Sequence, residues 1–296
     1  MLDQELRFSG SVPQNYDELM VPMLFRPYAE ELARRAIKLR ALAPPRDADD
    51  RWPWPIRVYA LGRFALFIDD EPLAFSGKAQ RKPLGLLKLA LVAGSRGIDS
   101  ERAGAELWPD LDGDASRNAF DVALHRLRKL LRHEAALTLA HGRLALDAKR
   151  VWVDAWAFES ACAEAEGVAF DGAVERLAPR LLRHYAGPFL PDDDAHSALT
   201  MRERLRSKLL RTVSILGQRL EQRREYDEAI LLYRRAIEVD PLAEEFHRRL
   251  MLCYRAQDRI AEALGAYRRC RDVISITLGV EPSAATQAVY RSLKQS

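Results

Sequence analysis

The chain has 296 residues, of which 48% are hydrophobic, and its 46 Lys and Arg residues nearly balance its 43 Asp and Glu residues. This length predicts about two domains, and the hydrophobic share is ordinary for a chain with well-filled cores. No run of about 18 apolar residues occurs, which argues against a membrane span. The acidic N-terminal region also lacks the basic lead and apolar stretch of a signal peptide. We therefore expect a cytoplasmic protein.

Residues 1–50 predict an N-terminal helix and a linker. The amphipathic helix covers residues 26–42 and ends before Pro44 and Pro45. The charged residues 46–51 are expected to form an exposed linker. This segment is either an accessory helix of a self-contained protein or the end of an upstream domain in a longer one.

Residues 57–75 alternate apolar and polar side chains and predict two or three short strands with a turn at residues 69–72. A helix with one apolar face is predicted over residues 81–93, ended by Gly94. A shorter helix is predicted over residues 100–107, stopped by Trp108 and Pro109. Both of these stopping residues are expected to pack inward.

Residues 114–132 predict one long amphipathic helix. Asp114 and Ser116 offer side-chain oxygens for its N-cap. The predicted apolar face holds four residues at helical spacing, Phe120, Leu124, Leu127 and Leu131. The opposite face is basic and carries an amide. Taken alone, such a helix is more often only a solvated surface.

The order of the surrounding elements favours DNA binding. His141 and Gly142 join two short alternating runs and predict a β-hairpin. Strands, three helices and a hairpin are the order of a winged helix-turn-helix, whose third helix enters the major groove and whose hairpin reaches the backbone. The charge distribution agrees, since residues 51–150 hold 17 Lys and Arg against 12 Asp and Glu, whereas residues 151–296 hold 22 of each.

After Val153 the sequence predicts long helices without strands, at about residues 155–166, 169–185 and 197–222, with a last helix after Ser283. A repeat of 34 residues is typical of tetratricopeptide (TPR) units. Leu220, Ala229, Tyr233 and Ala236 recur in it as Tyr254, Ala263, Tyr267 and Cys270. Gly217 stands at the position of the first repeat where a small residue lets the two helices touch, and the second repeat has Met251 at that position. We expect these residues to serve packing.

Five short motifs carry a family resemblance. They are Leu61-Gly62-x-Phe64, Gly77-Lys78, Leu107-Trp108-Pro109-Asp110, Leu127-Arg128-Lys129-x-Leu131 and Val153-Asp154-x-x-x-Phe158. Their order and spacing resemble an OmpR-type winged helix over residues 56–153, followed by a bacterial transcriptional activator domain (BTAD) over residues 154–294. The resemblance implies a mainly α protein, with residues 1–50 as a separate segment, an α+β winged helix-turn-helix at 51–153 and an all-α TPR-like repeat domain at 154–296.

The resemblance also implies the residues that meet DNA and polymerase. The expected base contacts are Asn118, Asp121, Val122, His125 and Arg126, although His125 stands where the family commonly has arginine. The expected phosphate contacts are Arg117, Arg128, Lys129, Arg132, His141 and Arg143. Asp110 and Asp112, in the loop before the third helix, are expected to face RNA polymerase. The implied partners are double-stranded DNA, RNA polymerase and a second copy of the chain, at least on DNA.

Enzyme chemistry is not expected. The sequence has no phosphate-binding loop, dinucleotide fingerprint, nucleophile elbow, zinc-protease motif or paired CxxC. We therefore expect no cofactor and no metal, and we interpret Cys162, Cys253 and Cys270 as reduced core thiols.

The predicted function is a sequence-specific DNA-binding transcriptional regulator that activates through RNA polymerase. The alternative is a protein-interaction scaffold, or the output module of a larger regulator, whose winged helix no longer binds DNA. The basic outer face of the third helix favours the first prediction, since a scaffold would more readily carry acids or alanines there.

Overall fold

The computed structural model describes Pro44 and residues 48–75, 80–167 and 174–295. Ten α-helices and seven short strands lie within these ranges. The helix predicted for residues 26–42 lies outside them. No helix in these ranges is long and apolar enough to cross a membrane.

The strands form two small sheets. They are β1 (Ile56–Tyr59), β2 (Ala65–Ile68), β3 (Glu71–Pro72), β4 (Ile98–Asp99), β5 (Leu137–Ala140), β6 (Arg143–Leu146) and β7 (Val151–Val153). The sheet orders are β3-β2-β1-β7 and β4-β6-β5. The strands predicted for residues 57–75 are confirmed, with β1 antiparallel to β2 and Ile56 opposite Ile68. Strand β7, parallel to β1, was not predicted, because its three consecutive buried residues show no alternation.

Three helices follow the first strands: α1 (Arg81–Ala93), α2 (Ser100–Leu107) and α3 (Gly113–Leu131). The predicted bounds of α1 and α2 are confirmed. Gly94 ends α1 with a positive φ of 62°, and Asp99 begins α2 by accepting the backbone N–H groups of Glu101 and Arg102. A Cβ on Gly104 would lie 2.6 Å from the Ser116 hydroxyl oxygen. The glycine thus lets α2 and α3 cross closely as a helix-turn-helix.

The rest of the described chain is helical. It contains α4 (Asp154–Gly167), α5 (Val174–His184), α6 (His196–Gln222), α7 (Tyr226–Val239), α8 (Glu244–Ala256), α9 (Ile260–Leu278) and α10 (Ala284–Leu293). Pairs α6–α7 and α8–α9 form the two TPR-like hairpins, and all eight repeat positions named above are buried, which confirms their packing role. A Cβ on Gly217 would lie 2.4 Å from the Tyr233 ring, so the aromatic residue requires the glycine.

A buried carboxylate joins the two halves. Asp154, the first residue of α4, is 3% exposed. Its oxygens accept the backbone N–H groups of Ala60 and Leu61 at 2.9 Å and of Ala155 at 2.7 Å. Burial raises the pKa of Asp154 to about 6, although these hydrogen bonds act in the opposite direction. The carboxylate therefore fastens the start of α4 to the loop after β1.

The loop after α5 covers the same place. Leu61 bridges Phe189, the Gly62 N–H donates to the Pro188 carbonyl at 2.8 Å, and the Leu190 N–H donates to the Ala60 carbonyl at 2.7 Å. Buried residues of both halves form one continuous hydrophobic cluster. The predicted boundary between residues 153 and 154 is thus a packed junction, not a flexible linker.

The segment before β1 is also packed. Asp49 accepts the Trp54 indole N–H on its carbonyl at 2.8 Å and the Arg183 guanidinium on its carboxylate at 3.4 Å. Asp50 accepts the Tyr59 hydroxyl at 3.1 Å. The prediction of an exposed linker is therefore wrong for residues 48–50, which are half-buried. Charge alone did not reveal that these carboxylates have partners on β1 and α5.

Replacing the junction carboxylate tests its importance. Asp154→Ala would leave the N–H groups of Ala60 and Leu61 buried without acceptors, and we expect a loss of about 3 kcal/mol in the free energy of unfolding. Asp192→Ala, which removes an exposed carboxylate, should change it by less than about 0.5 kcal/mol. Urea unfolding followed by circular dichroism measures both values. Equal stabilities of the two variants would contradict the role of Asp154.

Candidate nucleic-acid interface

The start of α3 is set by one aspartate. Asp112 has an extended backbone and its side chain accepts the Ala115 N–H at 3.0 Å, so the helix begins at Gly113. The predicted caps, Asp114 and Ser116, are wrong, because both lie inside the first turns of the helix. Ser116 instead faces Gly104 on α2.

One face of α3 is anchored in the core. Phe120, Leu124, Leu127 and Leu131 are at most 3% exposed, which confirms the predicted apolar face. They pack in the same cluster as α1 and the sheet residues. Since the helix cannot roll without uncovering them, its outer face is held in a defined orientation.

The outer face of α3 carries most of the residues predicted to meet DNA. Asn118, Asp121, Val122, His125, Arg126 and Lys129 are exposed, and Arg128 is half-exposed. Within the described part of the chain, no hydrogen bond or ion pair engages their side chains. Val122 is 51% exposed, an apolar side chain in the middle of the polar face. This face, which we call the α3 outer face, therefore has its donors and acceptors free.

Two predicted phosphate contacts have loose acidic neighbours. Arg117 lies 3.4 Å from Glu101, and Arg132, in the left-handed conformation at the end of α3, lies 3.7 Å from Glu71. All four side chains are more than 60% exposed. Such surface pairs contribute little free energy, so both arginines can exchange a carboxylate for a phosphate.

The predicted hairpin is confirmed. Strands β5 and β6 pair antiparallel from Ala140 opposite Arg143. His141 and Gly142 form the turn with positive φ values of 50° and 72°, as a tight primed turn requires. The Ser100 N–H donates to the Gly142 carbonyl at 2.8 Å, which ties the turn to the start of α2.

Arg143 has a structural role that the sequence did not indicate. Its Nε donates to the Arg96 carbonyl at 3.2 Å and its terminal nitrogen to the Gly97 carbonyl at 2.9 Å. The guanidinium thus fastens the hairpin to the turn after α1. His141, exposed at the turn, has no such partner among the described residues.

The loop between α2 and α3 presents fewer free acids than expected. Asp110 is exposed, whereas Asp112 serves as the cap of α3. Trp108 is half-buried, with the Lys82 ammonium 5.3 Å from its ring centre, in agreement with the prediction that it packs inward. Pro109 is exposed, so the same prediction is wrong for it. It needs no core contact to stop a helix, because its ring alone prevents continuation.

The cysteines are buried and free of disulfides, as predicted. Burial raises the pKa of Cys162 to about 11 and that of Cys253 and Cys270 to about 12. Their thiols are therefore protonated at neutral pH. In the described ranges, no group of three or more His, Cys, Asp or Glu side chains is placed to hold a metal ion.

The fold and its surface define a class of protein. A helix-turn-helix followed by a hairpin wing, joined to TPR-like helical hairpins, is the architecture of a winged-helix transcriptional regulator. Residues 153–294 match the model of the bacterial transcriptional activator domain. The helical half, residues 153–294, is thus such a domain.

One solved structure gives an independent comparison. The chain is similar to Mycobacterium tuberculosis EmbR in complex with a low affinity phosphopeptide, with a TM-score of 0.60 and 20% sequence identity. The match covers 81% of this chain and 65% of that one, so this chain spans less than two thirds of EmbR. The likeness shows a shared fold. No curated protein sequence matches the chain.

Proposed function

We propose that this regulator binds DNA in a sequence-specific manner through the α3 outer face and activates transcription through RNA polymerase. The observation that carries the proposal is the α3 outer face itself, whose amide, imidazole and guanidinium groups are exposed beside a hairpin wing and have no partner among the described residues. An exposed unpaired polar row on a helix with a rigid apolar back suits insertion into the major groove.

The side chains divide into two roles. Asn118, Asp121, Val122, His125 and Arg126 are the proposed base contacts. Arg126 suits guanine, Asn118 suits adenine, and Val122 suits the methyl group of thymine. The proposed phosphate contacts are Arg117, Arg128, Lys129, Arg132, His141 and Arg143. Arg143 already donates two of its nitrogens to the Arg96 and Gly97 carbonyls, which leaves one terminal nitrogen for a phosphate. Its contribution to phosphate binding is therefore the smallest of this set.

The alternative is a scaffold whose winged helix binds no DNA. A surface used for a protein partner would be enriched in aromatic and apolar residues, whereas the α3 outer face has Val122 as its single exposed large apolar side chain. The charge and amide content therefore favour DNA over a protein partner.

Asp110 and Asp112 are the proposed polymerase contacts. Asp110 is exposed on the loop before α3, away from the buried face of that helix. Asp112 is exposed too, but one of its oxygens caps α3. A variant that removes charge at both positions must therefore preserve the cap.

The helical half is proposed to arrange two copies on DNA. One winged helix covers a short site, and pairing two of them on repeated half-sites gains affinity because the second contact becomes effectively intramolecular. Asp154 joins the helical half to the loop after β1, and one hydrophobic cluster links that half to α3. A contact between helical halves would therefore define the spacing of the two winged helices.

The proposed recognition of DNA bases can be tested by replacing Arg126. Arg126→Ala should lose about 1–3 kcal/mol of binding free energy on the preferred duplex and much less on random duplexes, because it removes a bidentate base contact. Lys129→Ala is the matched control, with similar losses on both. Fluorescence anisotropy with a site selected from random duplexes measures all four affinities. Equal losses for Arg126→Ala on both duplexes would reject it as a base reader.

Phosphate contacts should appear in the salt dependence. Lys129→Ala should reduce the slope of log affinity against log salt by about 0.9 and weaken all sequences alike. Arg234→Ala removes the same charge from an exposed position on α7 and should leave the slope unchanged. Arg143→Ala should give a smaller change than Lys129→Ala. A slope unaffected by Lys129→Ala would remove that residue from the interface.

The polymerase contact can be separated from folding. Asp110→Asn combined with Asp112→Asn removes both charges while Asn keeps the capping oxygen. We expect reduced transcription in a reconstituted assay with unchanged DNA affinity. Asp112→Ala alone should instead cost about 1 kcal/mol of stability through the lost cap. Full transcription by the double Asn variant would place the polymerase contact elsewhere on the chain.

Pairing on DNA is best tested with the whole chain. Sedimentation of the complex on a duplex with two half-sites should give two chains per duplex, and on a single half-site one chain with much weaker binding. The whole chain is needed because a fragment ending at residue 153 would lose Asp154 and the contact of Phe189 with Leu61. One chain per full site, at saturation, would contradict pairing.

A further inference from the structure

A cavity of about 300 Å³ lies at the junction of the two halves, apart from the α3 outer face. Its walls come from the segment before β1, the loop after β1, β7 and the end of α5. No residue of α3 or of the β5–β6 hairpin lines it. We call it the junction cavity. Its volume is at the small end of the range for ligand pockets.

The inner wall of the junction cavity holds hydrogen-bonding groups without partners. Trp152 is 5% exposed, and its buried indole Nε1–H has no acceptor among the described residues. The ring of His184, a residue that is also 5% exposed, makes no hydrogen bond with the described residues. Burial lowers the pKa of His184, so the ring is neutral at pH 7 and keeps one N–H donor. A buried polar group without a partner is costly, so the Trp152 indole N–H indicates a missing acceptor, and the His184 ring lies 6.0 Å from the Trp152 ring.

The carboxylates of the cavity do not supply that acceptor. The Asp154 oxygens already accept the backbone N–H groups of Ala60, Leu61 and Ala155. Asp50 accepts the Tyr59 hydroxyl.

Cationic groups stand at the rim. Arg63 is exposed, forms no ion pair among the described residues, and lies 5.2 Å from the Tyr59 ring centre. Arg183 has only the 3.4 Å contact with Asp49, on a side chain 56% exposed. Arg63 acts electrostatically on the buried Asp154 carboxylate but makes no direct ion pair with it, so its guanidinium can also contact an anion.

The remaining wall is flat and aromatic. The ring centres of Tyr59 and Trp152 are 5.3 Å apart, and those of Trp152 and His184 are 6.0 Å apart. Leu61 adds an apolar side chain. Aromatic and aliphatic walls of this kind hold the body of a small ring-bearing ligand, while a few polar groups fix its orientation.

We propose that the junction cavity binds a small organic carboxylate that carries an aromatic or other planar ring. Its carboxylate accepts the Trp152 indole N–H and the His184 N–H and is neutralised by Arg63, while its ring packs against Tyr59. The same loop that lines the cavity, around Leu61 and Gly62, is held by Asp154 and by residues 188–190. An occupant would therefore add a further connection between the winged-helix half and the helical half.

The indole N–H signal of Trp152 provides a direct test. In the whole chain labelled with ¹⁵N-tryptophan, this signal is assigned by its loss in Trp152→Phe. Titration with benzoate at constant ionic strength should shift it saturably, while the signal of Trp108, which lies outside the cavity, stays in place. Benzamide, the neutral isostere, and inorganic phosphate should shift it far less.

The matched variants are both exposed arginines. Arg63→Ala should weaken benzoate binding about tenfold, as the loss of a charge-assisted contact implies, and its exposure makes misfolding no concern. Arg234→Ala should bind as the unchanged chain does. No shift with benzoate, an equal shift with benzamide, a preference for phosphate, or full affinity in Arg63→Ala would each overturn the proposal. None of these outcomes depends on DNA binding.

Discussion

The buried carboxylate of Asp154 is the contact on which the rest of the molecule depends. A carboxylate removed from water is tolerated only where donors replace its hydration. Here the donors are the N–H groups of Ala60 and Leu61, from the loop after β1, and of Ala155, from the first turn of α4. The two segments must therefore be in place together. This requirement couples the sheet of the winged helix to the first helix of the activator domain.

The coupling makes the molecule one body. The loop of residues 186–190 pairs with residues 60–62, Lys88 on α1 forms a 2.7 Å ion pair with Asp193, and one hydrophobic cluster runs through both halves. The position of α3 is thereby linked to that of the activator domain without an intervening flexible tether. Under the proposed function, a partner that binds the helical half would change the position of α3 on DNA through these packed contacts.

The candidate DNA surface shows a division between fastened and free polar groups. Arg143, Lys82 and Asp112 make backbone contacts that hold the hairpin, the end of α2 and the start of α3. Asn118, His125 and Arg126 have no such contacts in the described chain. Preorganised backbone contacts lower the entropy lost on binding, and the free groups provide what a duplex can recognise.

The sequence by itself determined what depends on local spacing. The 3.6-residue period of α3, the glycine that ends α1, the hairpin at His141 and Gly142, and the TPR pairs with Gly217 beneath Tyr233 were all predicted, because each is set by residues close in the chain. What depends on distant residues was decided only by the tertiary structure. This includes the parallel strand β7, the hydrogen bonds of Arg143 to two backbone carbonyls, the packing of Asp49 and Asp50, and the junction cavity. The contacts of Arg143 with Gly97 and of Asp49 with Arg183 join groups 46 and 134 residues apart, and no local pattern encodes such contacts.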